Sequence, residues 1–339
     1  MKSTMSISQH PIQNTFGLPA QARVYAEYTS VEELRALLQT YKGERLLHIG
    51  AGSNLLFTND FDGVVLHSRI CFARALEENA ETVNIEAGAG IVMDDLIAQV
   101  ADMGLYGLEN LSHIPGEVGA SAIQNVGAYG VEAKDVIHEV HTIAVETGEE
   151  RIFTNEECRF GYRDSIFKNE QKGQYIVTSV VYRLSKQPQP HLDYGNLRQA
   201  LAGKEPTPMN IREAVIAIRK QKLPEPEELG SAGSFFKNPI ITPEHFQAIL
   251  RQEQKTAEQV PHYETANGIK IPAAWLIEQC GWKGKRQGGA QVYEKQPLVI
   301  VNTGNATAQD IITLATNITE SIAQRFQITL HPEVNIIKN

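Results

Sequence analysis

The sequence predicts an α+β fold. Amphipathic helical stretches such as TAQDIITLATNITESIAQRF (307–326) are interspersed with strand-like runs such as YIVTSVVYRL (175–184). Helices and strands follow one another without a regular β-α-β period, which disfavours a doubly wound parallel sheet. Apolar residues also alternate on both sides of Thr147 and Gly148, a pattern that indicates an antiparallel hairpin.

The composition excludes several classes of protein. The 339 residues are 42% apolar, enough for two or three domains. A net charge of -9 argues against broad binding to nucleic acid or anionic lipid. No run approaches the roughly 20 apolar residues of a membrane span, and the polar N-terminus lacks the apolar core of a signal peptide. The three cysteines form no C-x-x-C pair. We therefore expect a cytoplasmic protein with reduced thiols and no membrane insertion.

The N-terminal part is expected to form a flexible arm (residues 1–15) and then a small β-α-β-β unit (residues 16–70). Ser30 and Glu33 make an S-x-x-E capping box, and Gly43 ends the helix. The apolar stripe of this helix is Leu34, Leu37 and Leu38. RLLHIGAGSN (45–54) and GVVLHS (63–68) are strand-like runs on either side of a turn.

A second segment is predicted over residues 71–208, with a strand in TVNIEAGAG (82–90) and a helix in MDDLIAQVADMG (93–104) that Gly104 closes. A third segment, residues 209–326, begins with a helix that we predict to be capped by Asn210 and stopped by Pro224. Thr242 caps a further helix with Pro243 in its first turn. The last helix places apolar residues at helical spacing, and a strand over residues 327–339 closes the chain. The apolar positions of that helix are Ile311, Leu314, Ala315, Ile318 and Ile322.

Three glycine clusters are candidate anion-binding loops, because glycine lets backbone N–H groups converge on a phosphate. They are Gly50–Asn54, Gly88–Gly90 and Pro115–Gly130. Neither of the first two completes a dinucleotide-binding fingerprint, so each is equally consistent with a tight turn. The third is long and rich in small residues, which favours ligand binding.

Four segments carry a resemblance to a known family. They are YGLENLSHIPGEVGASAIQNVGAYGVE (106–132), FGYRDSIFK (160–168), KLPEPEELGSAGSFFKNP (222–239) and the terminal HPEVNII (331–337). In their order and spacing, from about residue 15 to the C-terminus, the chain resembles the UDP-N-acetylenolpyruvoylglucosamine reductase family. HLDYGNL, around Tyr194, resembles the extra tyrosine-bearing loop of the long form. Ala120 departs from the glycine or serine that is common in the family, with little consequence for a backbone contact.

The resemblance implies two FAD-binding subdomains of the vanillyl-alcohol-oxidase type and a C-terminal α+β substrate domain, without a Rossmann unit. It also implies that the C-terminal strand returns Glu333 to the active site. The two loops expected to wrap FAD supply the candidate cofactor-binding residues, which are Gly50, Gly52, Ser53, Asn54, Ile114, Pro115, Gly116, Gly119, Ser121, Gln124, Asn125, Gly127 and Tyr129.

The activity that the resemblance implies is the NADPH-dependent reduction of UDP-N-acetylglucosamine enolpyruvate to UDP-N-acetylmuramate, in peptidoglycan precursor synthesis. NADPH reduces FAD, and flavin N5 then gives hydride to the terminal carbon of the enolpyruvyl group. Negative charge develops on the adjoining carbon and flows into its carboxylate. The protein must stabilise that enolate and deliver a proton to carbon.

Three residues match the family's catalytic positions. Ser234 would donate the proton, Arg163 would stabilise the enolate, and Glu333 would orient groups or relay the proton. A guanidinium fork suits a carboxylate and a developing enolate. A serine hydroxyl is a weak acid in water, so it acts only if its neighbours stabilise the alkoxide or supply a new proton.

Six residues are implied to bind the UDP-sugar, namely Tyr162, Tyr194, Arg219, Lys222, Asn238 and Gln296. Tyr162 and Tyr129 are candidates to line the flavin or substrate pocket. The clustering of Arg219, Lys220 and Lys222 in an acidic chain separately favours a diphosphate site, although such a cluster is also typical of a solvated helix face. The ten histidines show no metal-binding spacing, so we expect no required metal ligand.

Three other interpretations remain open. A sugar or hydroxy-acid oxidase of the same fold would explain the glycine loops but not GSAGSFFKNP, and reactivity with oxygen would support it. A Rossmann-type NAD enzyme is favoured only by the Gly88 cluster and Glu109, and it would lack a yellow cofactor. A catalytically inactive sensor of nucleotide sugars would bind the substrate without turnover, against the complete set of Ser234, Arg163 and Glu333.

Overall fold

The computed structural model describes residues 10–338, which divide into two compact units. Within these residues, the first unit comprises 10–12, Gln21–Gly52 and Phe61–Gln221. The second comprises Gln13–Ala20, Ser53–Asp60 and 222–338. Both units contain helices and strands, as the α+β prediction requires.

The strands and helices are numbered in chain order. The strands are β1 (His10–Pro11), β2 (Gln21–Tyr28), β3 (Leu46–Ile49), β4 (Leu55–Phe57), β5 (Phe61–Ser68), β6 (Ala73–Glu78), β7 (Thr82–Gly88), β8 (Gly127–Ala128), β9 (Val131–Glu132), β10 (Ile137–Ala144), β11 (Glu150–Thr154), β12 (Tyr175–Ser185), β13 (Ser231–Ser234), β14 (Ile240–Ile241), β15 (Tyr263–Thr265), β16 (Gly268–Lys270), β17 (Arg286–Gln287), β18 (Ala290–Val292), β19 (Val299–Asn302) and β20 (Asn335–Ile337). The α-helices are α1 (Val31–Thr40), α2 (Met93–Asp102), α3 (Val118–Gln124), α4 (Leu197–Ala200), α5 (Pro208–Lys222), α6 (Pro243–Glu253), α7 (Ala273–Gln279) and α8 (Ala308–Phe326).

The first unit is built on two larger sheets. One has the order β1-β2-β5-β3, in which β5 runs parallel to β2 and β3. The other, β11-β10-β12-β7-β6, is antiparallel throughout. Its interior strand β12 is buried along nearly its whole length, and the apolar faces of α2 and α3 contribute to the same core. The boundaries 16–70 and 71–208 stay predictions.

Most of the local predictions in the first unit are confirmed. The Ser30 hydroxyl accepts the Glu33 N–H at 3.2 Å and caps α1, although the Glu33 carboxylate bonds to Thr29 rather than back to Ser30. Helix α2 is followed by Gly104 at φ +74°. Strands β10 and β11 form the hairpin around Thr147 and Gly148.

Three boundaries differ from the predictions. Helix α5 begins at Pro208, because the Thr207 hydroxyl accepts the Asn210 N–H, while the Asn210 side chain bonds to the Glu205 carbonyl instead of capping. The predicted arm is not loose over residues 10–15, since β1 pairs with β2 and the Thr15 carbonyl accepts the Ser231 N–H at 2.8 Å; residues 1–9 lie outside the described part. The terminal strand is also shorter than predicted and is confined to β20.

The second unit surrounds one apolar core. Its sheets have the orders β13-β19-β18-β17, β14-β16-β15 and β20-β4. The five apolar positions predicted for the last helix are all buried in α8, and the Thr307 hydroxyl caps that helix. Strand β4 lies parallel to β20, so a segment of the N-terminal half belongs to this unit.

Cys71, Cys158 and Cys280 are free thiols, and burial raises the pKa of Cys158 to about 12. No helix within residues 10–338 combines the length and the apolarity that crossing a bilayer requires.

Candidate functional site

The predicted cofactor loop of the first unit is held closely against the turn after β7. The Gly119 N–H donates to the Ala89 carbonyl at 3.0 Å, and the Val118 N–H donates to the Ile91 carbonyl at 2.9 Å. A Cβ on Gly119 would lie 2.9 Å from the Cβ of Ala89. The second and third glycine clusters therefore form one packed substructure, in which glycine permits the close approach of two backbones.

Two polar residues of this loop use their side chains to brace it. The Ser121 hydroxyl donates to the Val118 carbonyl at 2.7 Å and lies 2.7 Å from the Tyr182 hydroxyl, in the core. The Asn125 amide donates to the Gly161 carbonyl at 2.7 Å and accepts the Lys134 N–H at 3.0 Å. Both residues were predicted to bind FAD. Because both side chains are bonded within the protein, the backbone of each residue is the part that remains for contact with a ligand.

A buried hydrogen bond between Glu117 and His67 was not predicted from the sequence. Glu117, within the loop, and His67, on β5, are both nearly inaccessible to solvent, with Oε1 of Glu117 2.9 Å from Nε2 of His67. A Cβ on Gly50 would lie 3.0 Å from Oε2 of Glu117. The first glycine cluster thus packs on a side chain of the third. The boundary between the units falls after Gly52, so Ser53 and Asn54 belong to the second unit.

Arg163 lies over the backbone of Gly127. Its guanidinium donates to the Gly127 carbonyl, and its carbon Cζ is 5.4 Å from the centre of the Tyr162 ring. A Cβ on Gly127 would come within 2.9 Å of Nη1 of Arg163. Arg163 itself has φ +53°, a conformation that side-chain-bearing residues adopt only under constraint. Two predicted site residues from separate motifs therefore form one contact.

Tyr129, Tyr194 and Arg219 also come together in the first unit. The rings of Tyr129 and Tyr194 meet edge to face with their centres 6.4 Å apart. Burial raises the pKa of Tyr129, and the Arg219 charge and hydrogen bond lower it in part. Tyr194 is 40% exposed, whereas Leu192 and Leu197 on either side of it are buried against α5.

Other residues around Arg219 were not found from the sequence. Nε of Arg219 donates to the His113 carbonyl at 2.9 Å, and the His113 N–H donates to Asp94 at 2.5 Å. Arg212 forms an ion pair with the same carboxylate. His113 has φ +59°, which no sequence signal marks, and Asp94 and Arg212 are 118 positions apart. In the sequence, Asp94 and Arg212 stand out only as charged residues near the start of α2 and on α5.

Ser234 and Glu333 are neighbours in the second unit. The Glu333 N–H donates to the Phe235 carbonyl at 2.8 Å, and the Lys237 N–H donates to the His331 carbonyl at 2.9 Å. The Glu333 carbonyl accepts from the Asn54 amide at 3.3 Å. These bonds bring the second half of the GSAGSFFKNP motif, the terminal HPEVNII segment and the end of the first glycine cluster into one region.

The strand that carries Ser234 has a register shift in its pairing with β19. Ser231 pairs with Val301 and Ser234 with Val299, so the register shifts between them, and Gly233 adopts φ +69°. Phe235, which follows, is 1% exposed and anchors the strand. Within residues 10–338, the Ser234 hydroxyl has no hydrogen-bonding partner and is only half-buried.

Three predicted substrate residues lie at the end of a helix or in connections between elements. The Asn238 side chain accepts the N–H of Ala273, the first residue of α7, at 2.8 Å. The Gln296 carbonyl accepts the Val299 N–H at 2.9 Å in the turn before β19. Lys222 is the last residue of α5. Their binding roles stay predictions.

Comparisons with known proteins agree with the resemblance. Residues 22–153 match the family model described as an FAD binding domain, and residues 225–337 match that described as UDP-N-acetylenolpyruvoylglucosamine reductase, C-terminal domain. The two matches together confirm the predicted α+β fold class, with an FAD-binding part and a C-terminal domain of this type.

Several curated relatives carry the same name. UDP-N-acetylenolpyruvoylglucosamine reductase of Bacteroides fragilis strain YCH46 is 46% identical, over 99% of this chain and 100% of its own. Those of Flavobacterium johnsoniae and Neisseria gonorrhoeae are each 44% identical, over 96% and 95% of this chain and 96% and 94% of theirs. The crystal structure of UDP-N-acetylenolpyruvylglucosamine reductase from Thermus caldophilus has the same fold, with a TM-score of 0.66 at 23% identity over 98% of this chain and 99% of that one. With such identity over nearly its whole length, the chain belongs to the UDP-N-acetylenolpyruvoylglucosamine reductase family.

Proposed function

We propose that this chain reduces the enolpyruvyl group of UDP-N-acetylglucosamine enolpyruvate to give UDP-N-acetylmuramate, with NADPH as the reductant, in the cytoplasm. What carries the proposal is the pairing of the Ser234 strand with the segment that holds Glu333, through the Glu333 N–H and the Phe235 carbonyl at 2.8 Å. This pairing sets a hydroxyl and a carboxylate, the two kinds of group that a proton delivery to carbon needs, on adjacent backbone segments.

The first unit fits an FAD molecule. Its glycine loops pack closely, since a Cβ on Gly50 would lie 3.0 Å from Oε2 of Glu117 and a Cβ on Gly119 would lie 2.9 Å from the Cβ of Ala89. Glycine-rich loops of this kind can bind phosphate through their backbone N–H groups. When bound, FAD would supply the two-electron hydride transfer between nicotinamide and enolpyruvyl group.

Arg163 is proposed to stabilise the substrate's carboxylate as it becomes an enolate. The guanidinium has five N–H donors in a rigid fork, and it donates to the Gly127 carbonyl. A fork oriented by that bond and by the Tyr162 ring is preorganised for an anion. No reorientation of the arginine is then needed as the negative charge develops.

Ser234 is proposed to deliver the proton to the carbon next to the hydride acceptor. The Gly233 bulge and the buried Phe235 hold its backbone on both sides, and its hydroxyl has no competing partner within residues 10–338. A free serine hydroxyl is too weak an acid to act alone. Glu333, held on the neighbouring segment, is proposed to orient or relay the proton that replaces the one delivered.

Tyr162, Tyr194, Arg219, Lys222, Asn238 and Gln296 are proposed to bind the UDP-sugar. The contact of Arg219 with Tyr129, and of Tyr129 with Tyr194, supports a shared role for a diphosphate-binding arginine and the tyrosine loop in the first unit. Arginine is well suited to a diphosphate because its planar fork bonds two oxygens at once.

The test is substrate-dependent consumption of NADPH by the FAD-loaded protein. We expect rapid oxidation of NADPH only when UDP-N-acetylglucosamine enolpyruvate is present, and mass spectrometry should find a product that has gained two hydrogen atoms. Oxidation of NADPH by oxygen, at a rate that ignores the UDP-sugar, would instead identify an oxidase of the same fold. Binding of the UDP-sugar without any turnover would identify a sensor.

A further inference from the structure

The peptide groups on both sides of His113 are held by charged side chains. The His113 N–H donates to Oδ1 of Asp94 at 2.5 Å, and the His113 carbonyl accepts from Nε of Arg219 at 2.9 Å. His113 has φ +59°, in the left-handed region. Such a conformation is unfavourable for a residue with a side chain and persists where the surroundings impose it. The two bonds supply that constraint, directly before the cofactor loop.

Asp94 is in turn fixed by Arg212. Nη1 and Nη2 of Arg212 lie 2.5 and 2.9 Å from the two carboxylate oxygens, a bidentate geometry. The Arg212 side chain is 13% exposed and that of Asp94 23%, so water screens the pair less than an ion pair on the surface. Burial raises the pKa of Asp94, but the hydrogen bonds from Arg212 and the His113 N–H outweigh it and lower that pKa. The carboxylate therefore stays ionised at neutral pH.

One helix holds both sides of His113. Arg212 and Arg219 are seven residues apart on α5, which is two helical turns or about 10.5 Å. Arg219 acts directly on the carbonyl, and Arg212 acts on the N–H through Asp94. The far end of the segment is bonded to the helix that carries Asp94, because the Met93 N–H donates to the Gly116 carbonyl at 3.0 Å. Residues 113–116 are thus held by hydrogen bonds to residues of α2 and α5.

We propose that Asp94 and Arg212 are positioning residues that couple cofactor binding to substrate binding. Their ion pair holds residues 113–116 in the conformation that receives FAD, while the same helix presents Arg219 to the UDP-sugar. A UDP-sugar that orders α5 then strengthens FAD binding, and FAD strengthens UDP-sugar binding by the same factor. This coupling rests on the proposed function for the identity of the two ligands.

The experiment titrates the apoprotein with FAD, followed by flavin fluorescence, with and without saturating UDP-N-acetylmuramate. In the parent protein, the nucleotide sugar should lower the Kd for FAD several-fold. Asp94→Asn should raise the Kd for FAD by about tenfold or more, because the His113 N–H and Arg212 lose a charged acceptor. It should also abolish the effect of the nucleotide sugar. Arg212→Lys keeps the charge but loses the fork, so the same changes should be smaller.

Glu213→Gln is the matched control, since it removes a carboxylate from the same helix that pairs with Lys204 at 3.3 Å on the surface. It should leave both the Kd for FAD and its dependence on the nucleotide sugar at parent values. A general loss of helix stability cannot reproduce a selective loss of that dependence. Should Asp94→Asn fail to fold, Arg212→Lys decides the matter on its own.

The proposal is overturned if Asp94→Asn and Arg212→Lys bind FAD like the parent, or if Glu213→Gln shows the same losses. It is equally overturned if the nucleotide sugar has no effect on FAD binding by the parent protein. A parent protein that binds both ligands but never consumes NADPH would refute the proposed reaction instead, and the FAD titrations would still judge the coupling.

Discussion

Replacing Arg163 with lysine tests whether the guanidinium fork stabilises the enolate. Both residues carry one positive charge, and both must accept φ +53° at this position, so charge and backbone strain largely cancel in the comparison. What changes is the number and geometry of donors. An arginine can bond the Gly127 carbonyl and the substrate through different nitrogens of one rigid fork, whereas a lysine has a single nitrogen for both tasks.

The expected loss follows from the bond that lysine cannot keep. A hydrogen bond from a charged donor contributes about 1.5–3 kcal/mol, and a lost oxyanion donor typically costs about 3 kcal/mol in the transition state. Because lysine retains part of the electrostatic attraction, we expect about 2 kcal/mol. Each 1.36 kcal/mol is a factor of ten in rate, so the substrate half-reaction should slow by about thirtyfold.

Stopped-flow absorbance of the flavin separates the two half-reactions. In Arg163→Lys, bleaching by NADPH should proceed at the parent rate, while reoxidation by the enolpyruvyl substrate should show the thirtyfold loss. Arg159→Lys is the control, because Arg159 also has a positive φ, of 42°, and pairs with Glu170 on the surface. Reoxidation of Arg163→Lys within twofold of the parent, or an equal loss in Arg159→Lys, would refute the role given to the fork.

Three further predictions concern the proton, the tyrosine loop and pH. Ser234→Ala should still be bleached by NADPH but be reoxidised by substrate about a hundredfold more slowly or worse in stopped-flow, as for a lost positioned acid; parent-rate reoxidation would transfer the role to Glu333. We expect the loop that bears Tyr194 to close over the bound nucleotide, so Tyr194→Phe should raise the KM for the UDP-sugar several-fold without slowing reduction by NADPH; equal losses in both would count against that closure. Burial lowers the pKa of His48 to about 4 in the folded protein. As the pH drops, the His48 imidazole is therefore protonated in the unfolded chain before it is protonated in the folded one. The free energy of unfolding should fall between about pH 6.5 and pH 4. Urea unfolding at pH 7 and pH 5 measures that fall. His48→Gln should reduce it, and an unchanged fall would show the explanation to be wrong.

Local chemistry made several elements predictable. The cap at Ser30, the glycine after α2 and the Thr242-Pro243 start of α6 each act within one helical turn, so the sequence displays them side by side. The five apolar positions of α8 follow the helical period and are buried. Asn210 misled the prediction of a cap for a local reason too: two polar residues lie near the start of α5, and Pro208 favours the earlier one, Thr207.

Long-range pairing was not predictable in the same way. Strands β4 and β20 are joined by the bond between Thr58 and Ile337, 279 positions apart, and this pairing assigns residues 53–60 to the second unit. The hydrogen bond between Glu117 and His67 spans 50 positions, and the ion pair of Asp94 with Arg212 spans 118. Periodicity indicates which face of an element is apolar, but it does not indicate which distant charge will meet it.

A motif match identifies candidate residues, but it does not show where their side chains point. Ser121 and Asn125 lie in the most ligand-like loop of the sequence, yet their polar atoms bond to Val118, Gly161 and Lys134. Small polar residues in a glycine-rich loop have two uses. They can contact a ligand, or their side chains can hydrogen-bond to backbone groups of the loop, which glycine cannot do because it has no side chain. The same composition thus arises from contact with a ligand and from support of the loop.

Gly127 and Arg163 show how geometry connects what two motifs leave separate. A glycine in GAYG suggests a tight turn, and an arginine in YRDS suggests an anion site, with 36 positions between them. In the structure a Cβ on Gly127 would lie 2.9 Å from Nη1 of Arg163, 2.9 Å from Cγ of Glu132 and 3.0 Å from the Val131 carbonyl oxygen, and the glycine carbonyl is the acceptor that orients the fork. The glycine is then required both by the approach of the arginine and by its own turn. A loop expected to hold the cofactor therefore also sets the orientation of the arginine proposed to stabilise the enolate.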